Sequence, residues 1–532
     1  MALVPGRPSA MQAAVLERAV VARDPRFDGL FFVAITTTGI YCRPVCPTRA
    51  AESSHRRFFD SAASAEQAGY RPCLRCRPEL APGRALMDAV PRLATVAAHR
   101  IGAGALNGRG VAKLAGDLGV SERHLRRALE RELGVSPLEL AQTHRLLLAK
   151  RLLADTDLPV IQVAFASGFE SLRRFNSVFR ERYRVTPSAV RHAARPRRES
   201  RSGPAPPEGG PGSAYQLRLT LAYRPPLAWG TLLSMLGQEA MPGVEVLEGE
   251  RYLRTVRLEG RCGVVVVEGA RARGGERRAG ARTHLDVQVS AELVPVVMPL
   301  LARLRRLLDL DAEPSVVDAC LGQGGLGAQV LARPGLRVPG AMDGFEAALL
   351  AVLRDEERRA GWAWGAAQAE AGLRRLVADL GERFDGGSPG LTRLAPTAAR
   401  IAEAGATRLR AMGLPPRRAD AIATLARTVA TGALRLEPGC DVGTTLRALR
   451  DIDGVGERLA TSIVMRGLSW PDAFPASDRG LQRAAGVSDA PALQALAERW
   501  RPWRAYAALH LRLAPLGRVF QMEAPMSGGS LA

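Results

Sequence analysis

The chain has 532 residues, 47% hydrophobic and 24% charged, with a formal net charge of +21. That length exceeds one ordinary core and implies three or four domains. The composition excludes a disordered polymer, and no apolar run approaches the ~18 residues that a membrane span needs. The positive excess points to a polyanionic partner, nucleic acid before any other, against the plainer reading of an arginine-rich chain with no such partner.

The charge is unevenly placed. Residues 1–200 hold 32 Lys+Arg against 18 Asp+Glu, a net +14 of the +21. Lys113 and Lys150 are the only lysines, so no side chain after residue 150 can form a Schiff base. The N-terminus lacks a basic-then-apolar export segment, so a cytoplasmic location is expected. There disulfides are disfavoured, and clustered cysteines bind metal or react.

Residues 1–85 carry such a cluster. "GIYCRPVCPTR" (39–49) and "YRPCLRCRPE" (70–79) set Cys42-x3-Cys46 against Cys73-x2-Cys76. Two close pairs can each clasp one edge of a tetrahedral zinc site, and Arg43, Arg71, Arg75 and Arg77 lie beside the thiols. Spacing alone leaves open whether this is a closed structural knot or a reactive centre. "RDPRFDGLFFVAITTTGIYCRPVCPTR" and "YRPCLRC" closely resemble the N-terminal domain of the Ada methyl-phosphotriester repair family. The resemblance implies Zn2+ held by Cys42, Cys46, Cys73 and Cys76, with Cys42 accepting a methyl group from a DNA phosphotriester. Arg43 and Arg71 are expected at the DNA. Methylation removes charge from the sulfur and so strengthens DNA binding. No PCHR-type motif is present, and O6-methylguanine repair is not expected.

Residues 86–194 are expected to be helical. "VAKLAGDLGVSERHLRRALERELGVSP" (111–137) and "VIQVAFASGFESLRRFNSVFRERYRVTP" (160–187) each read as helix, glycine turn, basic helix. Gly119 and Gly168 support the turns. Arg123, His124 and Arg127 in the first unit, and Ser171, Arg173, Arg174 and Asn176 in the second, are the groove-facing candidates, Arg suiting guanine edges and Asn adenine edges. The alternative is a helical bundle with a solvated arginine face. The tandem pair, closing on "FRERYRVTPSAVR", resembles the AraC-type transcription-factor domain. Such a domain implies promoter DNA and RNA polymerase as partners, and two units in one chain suit a monomer.

Residues 195–214, rich in Pro, Gly, Ser and Arg, read as a flexible linker. Strands are expected in "YQLRLTLAY", "YLRTVRLEG", "CGVVVVEGA" and "THLDVQVSA", between 215 and 290, and amphipathic helices from about 293 onward.

In "LRALRDIDGVGERLATSIVMRG" (446–467), Leu449 and Ile452 anchor a tight turn at Gly454-Val455-Gly456 before a new helix, a backbone grip for phosphate. Asp478 follows 22 residues later in "PDAFPASDRGLQR"; an Asp in such a context commonly caps a helix or joins a surface ion pair. These stretches, with "RPPLAWGTLLSML", "ARPGLRVPGAMDGFEAAL", "LRAMGLPPRRADAIATLA" and "AERWRPWRAYAALHL", resemble the AlkA 3-methyladenine glycosylase II branch of the helix-hairpin-helix superfamily, from about 215 to 520. The resemblance implies base flipping and a carboxylate, Asp478, that stabilises positive charge on the sugar or positions water. Without lysine the enzyme is expected to be monofunctional. The family's pocket aromatics are replaced by Arg458, Ser462 and Arg512. Its wedge-feeding stretch reads Arg354-Asp355-Glu356, and Trp362 and Trp364 follow as stacking candidates or packing residues. Trp500, Trp503 and His510 read as core, and Cys262, Cys320 and Cys440 as isolated thiols.

The expected architecture is multidomain α+β. A small zinc domain (1–85) is followed by an all-α tandem helix-turn-helix domain (86–194) and a linker (195–214). A β-rich domain (215–300) and an all-α helix-hairpin-helix glycosylase domain (301–525) complete it. The expected function is excision of alkylated purines from double-stranded DNA, joined to a zinc-thiolate alkylation sensor and transcriptional regulator. The rival is a regulator whose glycosylase half only docks DNA.

Overall fold

Short hydrophobic strands around the cysteines build the first unit. The computed structural model describes residues 10–48, 50–83, 93–199, 215–269, 283–355, 357–359, 362–385 and 389–514. Helix α1 (Ala10–Ala22) precedes strands β1 (Phe32–Ile35), β2 (Ile40–Cys42) and β3 (Arg56–Phe59). Helix α2 (Ala62–Gln67) and the short β4 (Arg71–Pro72) follow. The sheet order is β3-β1-β2-β4, antiparallel except for the β2–β4 pair. That pairing puts Tyr41 opposite Pro72 and so draws the two cysteine pairs together. These strands are too short to show period-2 alternation and were absent from the expected elements.

The next unit is helical as expected: α3 (Leu93–Gly102), α4 (Val111–Asp117), α5 (Glu122–Leu133), α6 (Pro137–Asp155), α7 (Val160–Ala166), α8 (Leu172–Tyr183) and α9 (Pro187–Glu199). Helices α4–α5 and α7–α8 are the two helix-turn-helix units. Ser121 and Ser171 cap the second helix of each, accepting from the N–H groups of His124 and Arg174. Residues 195–199, expected in the linker, continue α9; 200–214 lie outside the described residues.

Both turn glycines are left-handed, Gly119 at φ +69° and Gly168 at φ +84°. A Cβ on Gly119 meets open space, whereas one on Gly168 lies 2.4 Å from Asn107, whose Oδ1 accepts from Arg145 Nε at 2.8 Å. Gly119→Ala should therefore cost about 1 kcal/mol in backbone strain alone. Gly168→Ala should cost more, because Asn107 must also move. Urea midpoints compare them, and equal midpoints would contradict the steric account.

The β-rich unit is a five-stranded antiparallel sheet in the order β5-β9-β8-β7-β6. It comprises β5 (Tyr215–Ala222), β6 (Glu245–Glu248), β7 (Arg251–Leu258), β8 (Arg261–Gly269) and β9 (His284–Ser290), with helix α10 (Trp229–Gln238) after β5. Four strands match the expectation; the short, half-exposed β6 is additional. Helix α11 (Val297–Leu307) does not open the helical half as the boundary at 300 supposes. Leu300, Leu304 and Leu307 join Leu217, Val265 and Val287 of the sheet in one core.

That core extends further. Leu146, Leu152, Val163, Phe175 and Phe179, from α6, α7 and α8, belong to it as well. The second helix-turn-helix unit and the sheet thus share a single apolar interior, which holds these two units in fixed relation.

The remainder is α12 (Pro314–Leu321), α13 (Gly327–Ala332), α14 (Gly344–Arg354), a hairpin of β10 (Glu357–Arg359) and β11 (Trp362–Trp364), α15 (Ala366–Leu380), α16 (Ala398–Ala411), α17 (Pro416–Ala430), α18 (Val442–Arg450), α19 (Glu457–Gly467), α20 (Arg479–Ala485), α21 (Ala490–Ala497) and α22 (Arg504–Arg512). One core gathers α14, α15, α17 and α19, and a second gathers α12, α20, α21 and α22. Glu356 lies outside the described residues, and Trp362 and Trp364 fall on the hairpin's second strand. Among the described residues no helix is long and apolar enough to cross a membrane.

Candidate metal centre and base-excision site

The four sulfurs of Cys42, Cys46, Cys73 and Cys76 all lie within 4.8 Å of one another. Tetrahedral Zn–S bonds near 2.3 Å require about 3.8 Å between sulfurs, which falls within that bound, so the four can hold such an ion. Backbone N–H groups stabilise the sulfurs: Arg43 donates to Cys76 Sγ at 3.4 Å and Arg75 to Cys73 Sγ at 3.3 Å. Thr48 Oγ1 lies 3.0 Å from Cys46 Sγ. The hydrogen bond with Cys46 holds the Cys42 thiol far above its usual range, and the same contact first draws Cys46 down to about 6. Four buried sulfurs this close cannot all ionise unless a cation joins them. Exposure does not single out an acceptor, since each cysteine is 7–9% exposed.

Arginine contributes differently from the expectation. The Arg43 guanidinium pairs with Asp28 and donates to the Cys76 carbonyl, leaving it 12% exposed. It is therefore a brace of the metal loop, not a group free to meet phosphate. Arg77 is likewise spent on Glu79 and Asp155. Arg71 lies half-buried on β4, and Arg75 is exposed.

In the helix-turn-helix units, Arg123, His124, Arg127, Arg173 and Arg174 are exposed on α5 and α8, with Asn176 half-buried. Ser171 is committed to its cap. Leu125, Leu129, Phe175 and Phe179 turn the opposite faces inward, which leaves the basic faces to the outside.

The hairpin between α18 and α19 has the expected anchors, Leu449 and Ile452, both buried. Gly454 sits at φ +89°. Val455 is buried and donates its N–H to the Ile452 carbonyl, so it supports the turn and has no donor left for phosphate. Gly456 caps α19 without a side-chain hydrogen bond, so no capping side chain occupies the first N–H groups of that helix.

Asp478 is placed as the plainer reading of its sequence context has it, as a helix cap and an ion-pair partner. Its Oδ1 caps α20, accepting from Gly480 and Leu481, and its Oδ2 accepts from Arg512 Nη2 at 2.8 Å. The Asp478 side chain is 17% exposed and that of Arg512 41%. Burial pushes the Asp478 carboxyl up, but Arg512 and the two cap N–H groups outweigh it and hold the acid below its usual range. The anion is thus secure, though masked by a guanidinium.

The other substituted pocket positions are also accounted for. Arg458 pairs with Asp355 at the end of α14, so its charge is balanced there. Ser462 turns its hydroxyl back to the Arg458 carbonyl at 2.9 Å. Trp500, Trp503 and His510 are core residues; burial lowers His510 to about 4 and keeps it neutral. A cavity of about 400 Å³ lies between α3, α11 and α14 and does not include Asp478.

Arg512→Gln should raise the Asp478 carboxyl, because the neighbouring positive charge that holds it down is gone. If excision requires the anion, the acid limb of its pH profile moves to higher pH. An unmoved limb would show that Asp478 does not set it.

Three family descriptions match the chain: the metal binding domain of Ada over residues 16–79, a helix-turn-helix domain over 114–193, and the AlkA N-terminal domain over 218–343. The last reaches past α11, in keeping with the shared core. A probable bifunctional transcriptional activator/DNA repair enzyme AlkA of Mycobacterium tuberculosis is 37% identical over 499 residues, covering 93% of this chain and 95% of its own. DNA-3-methyladenine glycosylase 2 of Escherichia coli is 34% identical over 293 residues, 55% of this chain and 95% of that one. The bifunctional transcriptional activator/DNA repair enzyme Ada of the same organism is 50% identical over 64 residues, 12% of this chain and 18% of that one. With nearly its whole length matched to one relative and its parts to the other two, the chain belongs to the family of bifunctional transcriptional activator/DNA repair enzymes AlkA.

Proposed function

We propose that the chain senses DNA backbone alkylation through Cys42 and excises alkylated purines, such as 3-methyladenine, through Asp478. The carrying observation is the carboxylate at the start of α20, held ionised by Arg512 and two cap N–H groups; on this proposal a flipped nucleotide's sugar lies beside it. Alkylation at a ring nitrogen makes the base a cationic leaving group. As the glycosidic bond stretches, positive charge grows on the sugar, and the fixed anion lowers the energy of that state. The phosphate N–H donors of α19 hold the backbone beside it. Arg512 must leave Asp478 Oδ2 for this to happen, and its exposure leaves it free to turn to a DNA phosphate.

Zn2+ bound to the four cysteines supplies a thiolate that is nucleophilic at neutral pH. Cys42 Sγ forms a bond to the methyl carbon of a DNA phosphotriester. The methyl–oxygen bond breaks with its electron pair staying on phosphate, which returns to a diester anion. Arg123, His124, Arg127, Arg173, Arg174 and Asn176 then read promoter DNA, and the activated chain works as a monomer with RNA polymerase. Its two groove-reading units in one chain support that stoichiometry.

The Arg512–Asp478 pair favours one other reading, a glycosylase half that only docks DNA. The sensor reading is tested by mass spectrometry after incubation with methyl-phosphotriester duplex. One methyl group is expected on Cys42; modification of another thiol, or none, would remove it.

A further inference from the structure

The cavity of about 400 Å³ between α3, α11 and α14 is lined neither by the four cysteines nor by Asp478. Three units supply its walls: α3 of the helix-turn-helix region, α11 of the sheet unit, and α14, α22 and residues 429–439 of the helical half. The seam around it is closely made. A Cβ on Gly439 would lie 2.0 Å from Val96 Cγ1, and Arg435 Nη1 reaches Asp117 Oδ1 at 3.2 Å. The void is therefore a formed chamber, not slack between loosely packed parts. Arg435 and Glu437 on its lining are exposed and leave it open to solvent. Pockets of this size at junctions between domains are common sites for small ligands.

The lining is rich in guanidinium groups. Arg305 is neutralised by Asp311, its Nε 2.9 Å from Oδ1. Arg306 is not: its Nε and Nη2 each donate at 3.0 Å to main-chain carbonyls, those of Ala341 and Met342. Arg100 likewise donates to the carbonyls of Asp117 and Pro438, both at 3.4 Å. Arg303 stands 4.0 Å from Asp343, whose Oδ1 already caps α14. Burial lowers Arg306 to about 10. A half-buried guanidinium that holds only carbonyls is stabilised most by an anion that accepts two bonds at once.

The rest of the lining differs in character. Phe345, Leu436 and Trp503 are buried and apolar. Ser469 Oγ is buried without a hydrogen-bond partner among the described residues. Asp309 Oδ2 accepts from Tyr506 Oη at 2.6 Å and from Val338 N at 3.2 Å. Ser469 and Asp309 both sit at positive φ, +53° and +49°, which strains a residue that carries a Cβ. A buried hydroxyl left unanswered by the protein is satisfied when a ligand supplies its partner.

We propose that this chamber binds a nucleoside monophosphate, with its phosphate at Arg306, its base along Phe345, Leu436 and Trp503, and Ser469 hydrogen-bonded to the nucleoside. Inorganic phosphate fills only the charged part and leaves the apolar wall uncovered.

The test titrates deoxyadenosine monophosphate, inorganic phosphate and deoxyadenosine separately into the full zinc-loaded chain by calorimetry. One nucleotide should bind, at least about tenfold more tightly than either fragment. Amide exchange should slow at 93–102 and 434–439 and stay unchanged in α5, α8 and α20. Arg306→Gln removes the charge, and Ala302→Phe fills the chamber while leaving every arginine in place. Each should weaken the nucleotide by about tenfold or more, with circular dichroism confirming that both are folded. Absence of binding, protection confined to α5, α8 or α20, or full affinity in either variant overturns the proposal. Inorganic phosphate or deoxyadenosine binding as tightly as the nucleotide overturns it too, because one half of the lining then contributes nothing.

Discussion

Asp478→Asn should leave the protein folded and slow lesion excision by about a thousandfold, the scale on which a lost transition-state electrostatic partner is felt. The substitution separates the residue's two tasks. Asparagine caps a helix about as well as aspartate, so the bonds from Gly480 and Leu481 survive and stability should change by less than about 1 kcal/mol. What disappears is the charge beside the sugar. Asp478→Ala loses cap and charge together and should be both inactive and less stable by about 1 kcal/mol. Single-turnover release of base from alkylated duplex, with urea unfolding of each variant, checks both halves. Excision by Asp478→Asn within tenfold of the unaltered protein would mean that the anion is not the catalytic group.

The second large effect concerns the metal. Cys42, Cys46, Cys73 and Cys76 pack with Phe31, Val33, Ala19 and Val20 in a core of very few large residues. Binding free energy in such small units is folding free energy, on the order of 10 kcal/mol. Chelation, or Cys73→Ala, should therefore unfold the N-terminal unit. The cores around α14–α19 and α20–α22 contain no residue of that unit and should persist. Calorimetry should show one transition lost and another kept, with base excision retained by the stripped protein. Loss of every transition together would contradict independent cores.

Which parts of this were legible beforehand follows from range. The cysteine spacing, the two helix–glycine–helix repeats and four long strands of the sheet are written in local periodicity, and each lies where expected. Strands of two to four residues in the zinc unit carry no such signal. Helix α11 reads as the first of a helical series, because only its packing on Leu217 and Val287 assigns it to the sheet.

The site residues divide the same way. Exposed faces of α5 and α8 follow from amphipathic spacing. Arg43 looks like a phosphate ligand until Asp28, 15 residues earlier, claims it. Arg458 looks like a charge misplaced in a pocket until Asp355, 103 residues earlier, balances it. Arg512 and Asp478 are 34 residues apart, and their pairing is set by how α22 lies against α20. A reader of sequence could have asked only which acids accompany arginines placed among apolar neighbours.

Both lysines of the chain lie far from this chemistry in role: Lys150 is buried against Glu79 and the Cys73 carbonyl, and Lys113 pairs with Asp117. Strand cleavage by a Schiff-base route has no candidate side chain in the repair half. The decisive measurement is to incubate the intact, zinc-loaded protein with duplex DNA carrying 3-methyladenine and to follow the abasic sites and strand breaks separately. Free base and intact abasic strands should accumulate together. Unaltered DNA after prolonged incubation would reduce the C-terminal half to a docking platform and contradict the account.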